Sequence, residues 1–364
     1  MPERIAVLGA GNGGQALSGH LALKGFKVVL YEYPDFKENI KPILARRGIE
    51  LEGVVEGFGE LQKVTTEIRE ALDRADVVLI VVPAFAQKAF FEKALSYMKT
   101  NQLAAFIPDN YGTLALAYGL GEHRIPNNLV LVGTSSLPFA CRRTGAAKVK
   151  ITGVKTKVLA SALPARRNTE IINSLQQLFA GFEPAANVLE VGLNNLNMVI
   201  HCPTAILNAG KIETGEEFSF YRQGITKSIC RVVEAIDNER LRVSECLGFR
   251  TLSARDWQRS TYGAQDKTLF EILTTSKVYG AFGSDAPKSL THRYITEDVP
   301  YALVPFVSLA EILQVPTPNS RALIRIASTL NQTDYLVEGR TATRMGIAEL
   351  SRESLLQYVN QGRM

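Results

Sequence analysis

Three stretches of this chain combine residue types and spacings that could do chemistry. The first is Gly9-Ala10-Gly11-Asn12-Gly13-Gly14, set between the apolar run Ile5–Leu8 and the segment Gln15-Ala16-Leu17. Gly9, Gly11 and Gly14 fit the pattern G-x-G-x-x-G. In that pattern the first glycine permits a tight strand-to-helix turn and the second lets a pyrophosphate approach the backbone. The third lets the helix pack close to the strand. A diphosphate would sit at the helix N-terminus, where unpaired N–H groups and the helix dipole favour anions. Glu32 closes the next apolar run, 18 residues beyond Gly14, near the ~20-residue spacing expected of an acid that holds the adenosine ribose. A carboxylate there accepts the 2′-OH and repels a 2′-phosphate, and no arginine follows it closely. The pattern therefore favours NAD over NADP, with NADP left open. The whole turn, Asn12 and Gly13 included, and Glu32 are the candidate cofactor contacts.

The second stretch is Asn197–Gly210. Asn197 and His201 are four apart and share a helix face. Asn208 returns to a similar azimuth, and Asn194 falls near the same stripe. Pro203 lacks a backbone donor and leaves the carbonyl near Val199 unpaired, which predicts a kink. A core histidine satisfied by neighbouring amides is the alternative reading. The third stretch is His292–Pro300, where Thr296, an acid and Pro300 read as a helix start. Glu297 and Asp298 fit there as first-turn carboxylates that complement the dipole, but this leaves Arg293 unexplained.

The elements that must position these groups fall into two regimes. From Ile5 to about Ser135, short runs rich in Val, Ile and Leu (Ile5–Leu8, Lys27–Tyr31, Val77–Val82, Leu103–Ile107, Leu129–Val132) alternate with helical stretches at Gly14–Lys24, Glu67–Ala75, Phe85–Met98 and Gly112–Tyr118. That alternation predicts a doubly wound α/β domain on a parallel sheet. Val149–Ile151 and Val158–Ala160 read as a β-hairpin around Gly153, and Asn168–Phe179 as a helix. Beyond about Val188 strand signals almost vanish, and Asn194–Asn208, Arg222–Leu247, Val299–Leu313 and Ser320–Leu330 have helical spacing. Thr317-Pro318 reads as an N-cap followed by proline at the first helical position. We place the boundary at 187/188: a dinucleotide-binding Rossmann-like domain over 1–187, then an all-helical domain over 188–364 that carries substrate and catalytic groups.

Composition excludes several classes. With 364 residues, 46% of them hydrophobic, the chain exceeds what one core usually serves. The formal charge of +5 is thinly spread. Arg46-Arg47, Arg142-Arg143 and Arg166-Arg167 are isolated pairs that read as solvated surface, with no stripe for nucleic acid. Four scattered cysteines without a CxxC pair argue against zinc or a disulfide framework, and no metal site is expected. No apolar run approaches the ~20 residues of a membrane helix and no signal-peptide pattern opens the chain, so a cytoplasmic protein is expected.

Gly9–Gly14, the stretch NMVIHCPTAILNAGKIE from Asn197 and the stretch RYITEDVPYALVPFVSLAEILQVPTP from Arg293 resemble the octopine/nopaline (opine) dehydrogenase family, across both domains. The resemblance implies a Rossmann domain followed by an all-α domain with the active site between them. It also implies a soluble enzyme that joins an amino acid's amine to a 2-oxo acid such as pyruvate and reduces the imine with NAD(P)H. On matching positions His201 is the catalytic histidine, Asp298 its partner acid and Arg293 the binder of the substrate carboxylate. Asn197 and Asn208 are further substrate-binding candidates, Asn197 the better placed. The expected partners are then small molecules, with neither nucleic acid nor membrane, and a homodimer is compatible.

The chemistry suits those roles. Imine formation needs a deprotonated amine and proton transfers at the carbinolamine, for which a carboxylate-oriented histidine is apt. Arginine grips a carboxylate with two parallel hydrogen bonds. In place of the family's more usual NPG-type turn stands Phe106–Gly112 with Asp109. Ser135, Ser136 and Arg142 read equally as cleft or surface, and His20 and His123 as structural or exposed. Two alternatives stay open: a ketone reductase on the same scaffold, which would call on a lysine such as Lys211 or Lys227, and a nucleotide-binding sensor without turnover.

Overall fold

The computed structural model describes residues 2–121, 125–126, 129–281, 283 and 286–362; His123 lies outside them. The chain divides into two compact units, Met1–Val188 and Leu189–Met364.

Among its described residues the first unit holds twelve strands: β1 (Arg4–Leu8), β2 (Lys27–Tyr31), β3 (Gly48–Gly53), β4 (Gly57–Glu60), β5 (Lys63–Thr65), β6 (Val77–Ile80), β7 (Leu103–Phe106), β8 (Val130–Thr134), β9 (Phe139–Gly145), β10 (Lys148–Val154), β11 (Val158–Leu163) and β12 (Phe182–Pro184). Eight form one sheet in the order β12-β11-β8-β7-β6-β1-β2-β5. All its pairs are parallel except β11 with β8. β6, β7 and β8 are buried along their whole length, which accounts for their unbroken apolar runs. Strand order reverses at β1, between β2 and β6. That reversal is where open α/β sheets bind ligands, outside the carboxyl ends of the strands. The helices α1 (Asn12–Leu23), α2 (Gln87–Leu95), α3 (Gly112–Leu120) and α4 (Asn168–Leu178) connect the strands.

A second sheet, β4-β3-β10-β9, has no counterpart in the sequence reading. β10 alternates half-buried and buried residues, and its inward Val149 and Ile151 join Ile49, Leu51, Leu17 and Leu21 in one apolar cluster under α1. The expected hairpin of Val149–Ile151 with Val158–Ala160 does not form. Lys148–Val154 pairs with β9 and β3, while Val158–Leu163 pairs with β8 and β12 in the other sheet. The real hairpin turns one segment earlier, where Ala147 takes a left-handed φ of 53°. The helix expected over Glu67–Ala75 shrinks to Ile68–Leu72.

Among the described residues the second unit is entirely helical. Its main helices are α5 (Asn197–Leu207), α6 (Lys227–Cys246), α7 (Ala254–Tyr262), α8 (Arg293–Thr296), α9 (Val304–Ile312) and α10 (Pro318–Leu330). α5 packs on α6, α8, α10 and a π-helical turn at Val299–Leu303. It runs through Pro203 and breaks at Asn208, whose φ of −108° and ψ of 20° leave the helical region. α6 starts at Lys227 rather than Arg222, with Thr226 Oγ1 accepting from the Ile229 N–H. Thr317 stands before α10, yet its side chain makes no cap. The fully buried Glu239 caps instead, accepting from the backbone N–H groups of Asn319 and Ser320 at 2.8 and 3.0 Å. Among the described residues no helix is long and apolar enough to cross a membrane.

Candidate active site

In the first unit the glycine turn leaves the carboxyl end of β1 at the strand-order reversal. Gly9 has φ +105°, and a Cβ there would lie 2.5 Å from Val82 Cγ1. A Cβ on Gly14 would sit 1.8 Å from the Gly9 carbonyl oxygen. Both positions therefore require glycine. At Gly11 a Cβ would meet nothing within 4 Å, and no side chain caps the helix that follows. Open ground before an uncapped twelve-residue helix fits a pyrophosphate. Glu32 is buried, accepting the Ala10 N–H on Oε2 at 3.0 Å and the Tyr33 N–H on Oε1 at 2.9 Å. It thus braces the turn from the end of β2, where an adenosine ribose is expected.

Two groups near Glu32 escaped the sequence reading. Asn39 Nδ2 donates to Glu32 Oε2 at 3.4 Å, and Arg143 Nη1 donates to Asn39 Oδ1 at 3.2 Å. The Arg143 N–H also donates to Asn12 Oδ1 at 3.1 Å. Arg143 belongs to β9, so the second sheet brings a cation to the ribose end of the turn. Read as a surface pair, Arg142-Arg143 carried no signal of this, because the approach is made across 104 residues. Asp109 is spoken for: it accepts from the Thr113 N–H and hydroxyl at 2.9 and 3.1 Å, capping α3. Ser135 Oγ likewise accepts from the Leu159 N–H at 3.1 Å. His20 is packed edge-on against Phe139, and burial, aided by Lys24, pushes its pKa down to about 4.

In the second unit α5 carries His201 to within 2.8 Å of Asp298, Nδ1 to Oδ2. Asp298 is fully buried and the His201 side chain is 12% exposed. An ionised carboxylate only accepts, so Nδ1 carries the proton and Nε2 of the neutral ring is an acceptor. Tyr221 Oη lies 2.9 Å from Nε2. The Tyr294 ring covers the imidazole at 4.0 Å between centroids. Burial first, then Asp298, pushes the neighbouring Cys202 thiol well above its usual range, so that thiol is no nucleophile.

Arg293 begins α8, and its Nε lies 2.9 Å from Oε2 of the buried Glu297. This i,i+4 pair explains the arginine that the dipole reading left over. The Arg293 side chain is 47% exposed, and the carboxylate of Glu297, with Asp298 and Tyr294 adding, holds its guanidinium firmly protonated. With Nε committed to Glu297, the two terminal nitrogens form a fork suited to a carboxylate. Asp298 then leads directly into the π-helical turn, a widening often found at functional sites. Asn197, half-buried, precedes His201 by one turn. Asn208 and Asn194 are structural. Asn208 Nδ2 donates to the Thr204 and Gly224 carbonyls at 2.8 Å each, and Asn194 Nδ2 donates to the Glu190 carbonyl at 2.8 Å. Both Nδ2 hydrogens of Asn208 are thus spent on backbone carbonyls. Lys211 pairs with Glu216 at 2.9 Å on the surface.

Residues 184–331 match the family described as NAD/NADP octopine/nopaline dehydrogenase, alpha-helical domain. Residues 4–108 match the NAD-dependent glycerol-3-phosphate dehydrogenase N-terminus. The chain is 33% identical to an opine dehydrogenase of Arthrobacter sp. (strain 1C) over 360 residues, covering 98% of this chain and 99% of that protein. It is 28% identical to octopine dehydrogenase of Pecten maximus, covering 93% of each. A solved octopine dehydrogenase with NADH and L-arginine superposes with a TM-score of 0.78 at 23% identity, covering 99% of both chains.

Proposed function

The chain belongs to the octopine/nopaline dehydrogenase family and is an NAD(P)-dependent oxidoreductase; from that premise we propose how its own residues join an amino acid to a 2-oxo acid. The observation that carries the proposal is the His201–Asp298 pair, 2.8 Å apart across 97 residues, beside the half-exposed fork of Arg293.

Arg293 takes the carboxylate of the oxo acid on its terminal nitrogens, and Glu297 holds the guanidinium in orientation. His201, neutral with its proton on Nδ1, accepts a proton at Nε2 from the incoming ammonium, which frees the amine to attack the carbonyl carbon. Asp298 stabilises the imidazolium so formed. The proton held at Nε2 is then given back toward the carbinolamine hydroxyl, which leaves as water to give the protonated imine. The Gly9–Gly14 turn would hold the pyrophosphate of the dinucleotide, which when bound would supply the hydride that reduces the imine carbon. Asn197 contributes a hydrogen bond to substrate. Glu32 favours the unphosphorylated ribose, pyruvate is the simplest oxo acid for Arg293, and the cytoplasm, which supplies reduced cofactor, is the location.

The test is NADH oxidation by pyruvate across a panel of amino acids, with product mass measured. The expected result is turnover that requires both amine and oxo acid and yields the secondary amine. Oxidation that continues unchanged when every amine is omitted would establish a ketone reductase instead. His201→Ala should keep NADH binding and lose about 10²- to 10⁴-fold in turnover.

A further inference from the structure

We infer that Tyr221 is the relay through which His201 exchanges its proton with substrate. Nδ1 is committed to Asp298, so Nε2 is the only nitrogen left for chemistry, and it lies 2.9 Å from the Tyr221 hydroxyl. Against a neutral imidazole the tyrosine must donate, since Nε2 has only a lone pair. Against an imidazolium it must accept, since Nε2 then carries hydrogen. The direction of the Tyr221 O–H is therefore coupled to the charge of His201.

That coupling permits a balanced transfer. A substrate N–H bond breaks as an O–H bond forms on Tyr221, whose own proton passes to Nε2. The tyrosine ends unchanged and His201 ends protonated. On dehydration the sequence reverses: Nε2 returns its proton to Tyr221, the tyrosine passes its own to the carbinolamine hydroxyl, and the C–O bond breaks to release water. No oxidant or reductant enters these steps.

The surroundings hold Tyr221 for this task. Its ring stacks on Tyr279 at 4.2 Å and 8°. Tyr279 is fixed in turn by Gln258, which donates to the Tyr279 hydroxyl at 2.8 Å and accepts from it at 3.2 Å. Burial pushes Tyr279 up to about 12, so it stays a neutral support. Phe220 and Tyr294 pack on the other ring faces of the cluster.

The relay rests on the function proposed above, and the experiment separates the two. Tyr221→Phe keeps the stacked ring and removes only the hydroxyl. We expect kcat to fall about a hundredfold, at the low end of the range for acid–base help, while KM for both substrates changes less than threefold. With 15N-labelled histidine, four in the chain and His201 assigned through His201→Ala, the Nε2 signal should move toward that of an imine-type nitrogen without a hydrogen bond. Should Tyr221→Phe fail to fold, single-turnover rates of the wild type in H2O/D2O mixtures decide: two protons in flight curve the plot, and a straight line overturns the relay. Turnover within threefold of wild type with an unmoved Nε2 signal also overturns it. Absence of amine-dependent turnover in the wild type overturns the proposed function instead, and the Nε2 signal still tests the tyrosine contact.

Discussion

Replacing Arg293 by lysine tests the substrate grip while keeping its charge. In the proposed grip one guanidinium serves two carboxylates: Nε stays on Glu297 at 2.9 Å and the terminal nitrogens take the oxo acid. A lysine ammonium has no fixed fork, so it cannot hold Glu297 and present two parallel donors at once. At least one charge-assisted hydrogen bond to substrate is lost, about 1.5–3 kcal/mol, or about 10- to 150-fold at 1.4 kcal/mol per decade. Glu297 is 1% exposed and draws the ammonium inward, because leaving that carboxylate without its cation is costly. The loss should therefore fall in the upper half of the range. The assay varies pyruvate at saturating amino acid and NADH and follows NADH oxidation. We expect KM for pyruvate to rise about fortyfold or more, about 2.2 kcal/mol, with KM for NADH within twofold. Pyruvate kinetics within threefold of wild type would refute the bidentate grip and leave Arg293 as a mere partner of Glu297.

Four further outcomes follow from the first unit. Arg143→Ala should lower kcat/KM with NADPH about tenfold, the loss of one charge-assisted contact, while NADH stays within threefold; an equal fall with both cofactors would remove Arg143 from the 2′ position. Gly14→Ala places a Cβ 1.8 Å from the Gly9 carbonyl oxygen and should cost about 1–3 kcal/mol of stability, seen as a lower Tm with weakened NADH binding. Gly11→Ala, with open space around its Cβ, should leave Tm unchanged and weaken NADH alone. His20 titrates near 6.5 when unfolded and at about 4 when folded, so the unfolded chain binds more protons between those values. Its contribution is complete above pH 6.5 and is lost as pH falls toward 4. After solvent screening it amounts to about 1–2 kcal/mol, and urea titrations of wild type and His20→Phe at pH 7 and 4.5 would measure it.

The cofactor turn was legible because its constraint is local. Gly9 and Gly14 are required by contacts to atoms a few residues away or one strand over, and Glu32 lies at the end of the next strand. The parallel strands were legible for a related reason, since burial on both faces writes an unbroken apolar run. The second sheet was not. Gly48–Gly53 and Gly57–Glu60 are rich in glycine and glutamate, and they become strands only because β10 pairs along β3 and α1 covers one face. His201, Asp298 and Arg293 were named from family likeness, because no periodicity links positions 97 residues apart. Tyr221 and Arg143 carried no signal at all: each is an ordinary residue made special by an approach across the fold.

Residue type also fails to separate the polar groups that act from those that hold. Asn197 and His201 lie on one helix and Asn208 ends it, and burial with hydrogen-bond partners distinguishes them. Arg240, fully buried on α6, donates to Asp237 at 2.9 and 2.6 Å and to the Leu193 carbonyl at 2.9 Å. Leu193 lies just before α5, so this ion pair ties down the start of the helix that bears His201. At the other end, Asn208 donates to the Gly224 carbonyl, in the turn that leads to α6. The catalytic helix is therefore fastened to α6 and its approach at both ends, by groups whose hydrogen bonds are met inside the protein. A buried ion pair of this kind contributes little net stability; what it fixes is position. These ties hold His201 where Nδ1 meets Asp298 at 2.8 Å, which leaves Nε2 for the proton transfer we propose.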